Sequence, residues 1–130
     1  MTVRPTIIAL ALGLAATTAV AHHSFSVFNM QERIDITGTV REVQWTNPHI
    51  WVWVEVTNED GGVTTWGLEG MSPNFLARRG WTRTTLEPGD EITVSLNPLK
   101  SGEPGGMFVS TTAPDGTVLT MGGGQEGGGN

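Results

Sequence analysis

Apolar and polar residues alternate along most of this chain, and the phase of the alternation marks the strands. In "IDITGTVREVQW", residues 34–45, Ile34, Ile36, Gly38 and Val40 share one parity, whereas Val43 and Trp45 share the other. Successive strand side chains point to opposite faces, so a phase change inside one strand predicts a β-bulge and a bend. Gly38 eases the bend. Next, "HIWVWVEVT" puts Ile50, Val52, Val54 and Val56 on one face and Trp51, Trp53 and Glu55 on the other. "NEDGG", residues 58–62, has hairpin-turn chemistry. "VTTWGLEG" predicts a third strand with Trp66 and Leu68 on one face.

The period then changes. In "MSPNFLARRG", Ser72 is a helix N-cap, Pro73 stands at the first helical position and Gly80 lies just past the end, with Arg78 and Arg79 expected in the last turn. After the turn "LEPGDEI", Ile92, Val94 and Leu96 predict a fourth strand; "MFVSTTA" predicts a fifth, continued through "PDG" into "TVLTM" as a hairpin. Three strands, one short helix and two strands, with the first strand long and bent, predict an all-β domain with one short helix. That is the order of an OB-fold-like five-stranded Greek-key barrel. A small β-sandwich is the alternative, although it usually needs about seven strands. The barrel is assigned to residues 34–120, between an N-terminal arm, 22–33, and a glycine-rich tail, 121–130.

The first 21 residues read as a signal peptide. Arg4 precedes an apolar run from Ile7 to Ala16, and Ala19-Val20-Ala21 is a small-x-small cleavage site. The run is shorter than the roughly 20 residues needed to span a bilayer, so no membrane span is expected after cleavage. An uncleaved anchor is the alternative. The expected location is periplasmic or secreted, with His22 as the mature N-terminus.

Seven basic residues stand against thirteen acidic ones, a formal net charge of −6. Such a chain repels phosphate backbones, which argues against a nucleic-acid partner. It contains no cysteine, so neither a disulfide nor a thiolate is available, and its aromatic content includes five tryptophans but no tyrosine.

Candidate chemistry begins with histidine. Once Ala21 is removed, His22 carries a free amine beside an imidazole, His23 adds another nitrogen, and His49, at the start of the second strand, completes a site if the arm folds back. Nitrogen-rich sites favour Cu(II), and the softer Met30, Met71 and Met107 suit Cu(I), so copper or another transition metal is the expected cofactor. The bland alternative is two exposed histidines on a mobile end and a third that caps a turn. Trp51 and Trp53 occupy the strand that supplies the usual OB ligand face, where indoles stack on flat ligands or anchor a partner; otherwise the helix, arm or tail covers them. Arg78, Arg79 and Arg83, near Trp81, suit an anionic ligand or acidic partner through planar contacts; otherwise they balance the helix end and pair with Glu69, Glu87 or Asp90. Trp45, Trp66 and Trp81 are expected in the core or against the helix. Catalysis finds little support: Ser24 and Ser26 adjoin histidines only along the arm, and Glu55 and Glu69 read as ordinary solvated acids.

Together, "AHHSF", "ITGTVREVQWTNPH", "W.LE..SPN.L.RRGW" and "L.PGDE.TV" resemble a family of small exported bacterial proteins known only as a domain of unknown function. The resemblance covers about residues 21–120 and implies a periplasmic, small β-rich domain, without an activity, cofactor or catalytic residue. The glycine-rich tail departs from it. Two functional expectations result. One is an exported, non-catalytic binding module holding copper or another transition metal through His22, His23 and His49. The other is an accessory or assembly protein that docks onto another exported protein through Trp51, Trp53 and the corner formed by Arg78, Arg79, Trp81 and Arg83.

Overall fold

The computed structural model describes residues 25–122. The expected signal peptide, His22, His23, Ser24 and residues 123–130 lie outside them. The elements are β1 (Ile34–Gln44), β2 (Trp51–Thr57), β3 (Val63–Glu69), α1 (Pro73–Ala77), β4 (Glu91–Pro98), β5 (Gly105–Thr112) and β6 (Val118–Thr120). Neighbouring strands run in the order β3-β2-β1-β4-β5-β6, and an additional pairing of β3 with β5 closes the first five into a mixed barrel. The architecture is the OB-fold-like barrel expected from the strand order, with β6 as an extra strand on β5.

Closure depends on the length and bend of β1. Its first half pairs with β4, from Ile34 opposite Leu96 to Thr39 opposite Glu91. Its second half pairs with β2, from Thr39 opposite Glu55 to Gln44 opposite Trp51, with a register shift between Val40 and Glu42. This shift is the bulge announced by the change of parity. Gly38 is required where β1 passes from one neighbour to the other: a Cβ there would lie 2.3 Å from the Glu55 carbonyl oxygen. The barrel closes through a short parallel pairing of Gly67–Glu69 with Gly105–Met107; all the other strand pairs are antiparallel.

The even-numbered side of β2 faces inward, where Val52 and Val54 are fully buried and Ile50, just before the strand, is nearly so. Leu68, Ile92, Val94, Leu96 and Phe108 meet them in the interior. Fully burying an aliphatic side chain of this kind contributes about 1.5–3 kcal/mol before conformational entropy is subtracted.

The end of the barrel beyond β3 is packed by α1 and the segment after it. The Ser72 side chain accepts the Phe75 N–H, and Pro73 opens the helix as expected. The helix is two residues shorter than its sequence signals suggested. It ends at Ala77, so Arg78 is its C-cap and Arg79 lies beyond it. The Arg79 and Trp81 N–H groups bond back to the Leu76 carbonyl, and Gly80 takes the left-handed conformation at φ +87° that this reversal requires. The reversal drives Trp81 inward.

The arm is not free over its described length. Phe28 is buried and forms a β-bridge with Leu99, Asn29 N–H donates to the Pro98 carbonyl, and Lys100 N–H donates to the Val27 carbonyl. Asn97 Nδ2 donates to the Glu32 carbonyl at 2.6 Å. Residues 27–32 are thus fastened alongside the end of β4. At the other end of the chain, Met121 is buried and its N–H bonds to the Val109 carbonyl.

Candidate functional site

Antiparallel register assembles the site across β1, β2 and β3. Trp51 lies between Gln44 on β1 and Glu69 on β3; Trp53, two residues on, lies between Glu42 and Gly67. Residues paired across a sheet share a face, so these six positions form two adjacent rows on the outside of the barrel. The bulge in β1 makes this possible by bringing Glu42 and Gln44 to the outer face while Val43 stays opposite Val52.

The two indoles stack on each other, with centroids 5.9 Å apart and planes at 26°. Such a pair contributes about 0.5–1.5 kcal/mol beyond its buried area. Both rings are only half-buried, unlike the aliphatic side chains between them. Among the described residues, neither indole N–H has a hydrogen-bond acceptor. Opposite Trp53, Gly67 leaves the β3 side of the ring without a facing side chain: a Cβ there would lie 3.5 Å from Trp53 Nε1, an ordinary contact distance.

Polar groups frame the rings. Gln44 Nε2 donates to Glu42 Oε1 at 3.0 Å, and Arg41 reaches Glu55 at 4.0 Å. On the other side, His49 Nδ1 lies 2.5 Å from Glu69 Oε1, with side chains 26% and 17% exposed. A carboxylate accepts, so Nδ1 is the donor, and its partner fixes the ring orientation and tautomer. Nε2 has no partner among the described residues. This contact could not be read from the sequence, where Glu69 reads as a solvated acid or as a partner for the arginines. Its one legible sign is the hairpin register, which sets Trp51 opposite Glu69 and so brings the start of β2 beside the end of β3.

His49 is consequently the one histidine of the expected metal site that the described structure places. Its carboxylate partner is the arrangement that orients ligating imidazoles in metal sites. The described residues contain no group of three or more side chains able to hold a metal. His22 and His23 lie outside them, and the described part of the arm is fastened along β4.

The arginine corner divides. Arg78, Arg79 and Arg83 are exposed, whereas Trp81, expected beside them as part of a partner face, is 3% exposed. Its ring meets Phe108 edge-on at 6.2 Å, and its Nε1 donates to the Thr120 carbonyl at 3.2 Å. It packs the barrel end and presents no binding surface. The Arg79 guanidinium lies 3.9 Å over the Phe75 ring. None of the three arginines forms an ion pair among the described residues, including with Glu69, Glu87 or Asp90. Glu69 is occupied by His49, and Asp90 Oδ2 accepts the Glu87 N–H within their own turn.

One family model, described as "Family of unknown function (DUF6152)", matches residues 11–109. No curated protein and no solved structure matches the chain.

Proposed function

The chain belongs to this family of unknown function, and we propose that it is an exported, non-catalytic binding module whose ligand face is the outer surface of β1–β3 around Trp51 and Trp53. The observation that carries this reading is the half-buried indole pair, with N–H donors unengaged among the described residues, on the strands that OB barrels use for binding. Export rests on the leader and its cleavage site, and places the work in the periplasm or outside the cell. An assembly role, docking another exported protein on this face, belongs to the same reading. Replacing both rings with serine is the test. The double variant should keep a parent-like melting transition while losing whatever the parent retains from a periplasmic extract. Unchanged retention would refute a binding role for the face.

The His49–Glu69 contact favours a second reading, in which His22, His23 and His49 hold copper or another transition metal. Its test begins with mass spectrometry, which should find the exported chain starting at His22. Cu(II) should then bind that form much more tightly than one carrying an extra residue before His22, because the added residue separates the amine from the imidazole. His49→Ala should weaken binding about tenfold or more, equivalent to about 1.4 kcal/mol. A start at Ser24 or equal affinity for the two forms would remove this reading.

A further inference from the structure

We propose that the face carrying Trp51 and Trp53 is a saccharide site that takes neutral or amine-bearing sugar rings; this assignment rests on reading that face as the binding surface. Three properties point to this class of ligand.

The first is shape. A pyranose ring presents a flat array of C–H bonds that packs on an indole face, and the stacked pair supplies two such rings on one strand. The second is hydrogen bonding. Sugar hydroxyls both donate and accept, and the rows beside the rings offer both kinds of partner. Glu42 and Glu69 supply carboxylate oxygens, Gln44 an amide, His49 its Nε2, and the two indoles their N–H groups. Gly67 matters here because it puts no side chain against Trp53 Nε1.

The third property is charge. The acids bordering the rings are Glu42, Glu55 and Glu69, and Arg41 beside them lies 4.0 Å from Glu55. A net negative rim disfavours phosphate and uronate groups and tolerates or attracts neutral and amine-bearing rings, the latter also through cation–π attraction to indole. The rim further argues against a large apolar protein contact. The exposed large apolar side chains of the described residues are Phe25, Val27, Met30, Val63 and Val118, on the arm, the hairpin end of β3, and β6. None stands in the two rows around the tryptophans.

The exported chain should be titrated with cellohexaose, with a chitosan hexamer and with hexagalacturonate, following tryptophan emission and heat. Cellohexaose or the chitosan hexamer should bind with a Kd below about 5 mM, and hexagalacturonate at least about tenfold more weakly. Trp51→Ser and Trp53→Ser should each weaken saccharide binding about tenfold or more. Gly67→Ala fits at an ordinary contact distance and should weaken it several-fold, because the methyl shields the Trp53 N–H. Preference for the anionic hexamer, or saccharide binding that survives both tryptophan substitutions, would overturn the proposal. Absence of binding by any of the three, with a parent-like melt in the double serine variant, would overturn it too and leave the face open to another ligand. A large loss of stability in that variant would instead show the rings to be internal packing, and so remove both the saccharide site and the binding face.

Discussion

The barrel has two aromatic pairs, and they are built on opposite terms. At the α1 end, Trp81 is 3% exposed, meets Phe108 edge-on and gives its N–H to the Thr120 carbonyl. On the outer face of β2, Trp51 and Trp53 stack on each other, stay half-buried and keep their N–H groups unengaged among the described residues. A buried indole needs a partner for its N–H, because an unpaired buried donor costs about 1–3 kcal/mol. A half-exposed indole has no such requirement while water reaches it, and its donor stays available to a ligand. Aromatic content alone therefore does not identify a binding surface. The state of the polar tip separates a packing ring from a surface ring.

The largest expected effect falls on the packed cluster. Trp81→Ala should cost about 3–5 kcal/mol in urea unfolding, since it empties a site between α1, β5 and the end of β6. A loss under about 1 kcal/mol would place Trp81 in the same class as the surface pair and break the distinction. Ile50→Ala comes next, at about 2–5 kcal/mol, because this side chain adjoins Trp51 but faces the interior. A cost as small as that of the Trp51 substitution would mean that the two sides of β2 are not energetically distinct.

Gly38→Ala should cost about 1–3 kcal/mol by forcing β1 away from the Glu55 carbonyl. It should also disturb the outer rows, because they depend on how β1 lies against β2; a change in the emission of the stacked pair alongside the lowered melting temperature would show this coupling. The smallest effect is expected from Trp51→Ser combined with Trp53→Ser, at about 1 kcal/mol in the same unfolding assay, close to the value of the stacking interaction itself. A loss above about 3 kcal/mol would move these rings into the packing class.

The sequence carried the elements and the inward side of each strand. Period two from Ile50 to Val56, the parity switch between Val40 and Val43, and the Ser-Pro start of α1 all report local geometry, which depends on neighbours within a few residues. The helix length was overestimated for the same local reason. Arg78 and Arg79 suit a helix end by charge, but the backbone had already turned back at Leu76 to bury Trp81. The arm, residues 22–33, lies outside every strand that periodicity predicts. What holds it is Leu99, 71 positions further along the chain, together with the Pro98 carbonyl.

The candidate site was legible only as an inventory. Trp51 and Trp53 had to share a face, since they lie two apart on a strand whose other side is aliphatic. Their setting was not local. Which acid frames which ring depends on the register of three strands, and His49 meets Glu69 only because the β2–β3 hairpin pairs Trp51 with Glu69. The sequence by itself thus determined strand order, core faces and the presence of an aromatic side on β2, because periodicity and turn chemistry act over short range. Tertiary structure alone decided which tryptophan is spent on packing, which glutamate holds the histidine and which arginines form no ion pair among the described residues, because those outcomes follow from barrel closure between segments far apart in the chain.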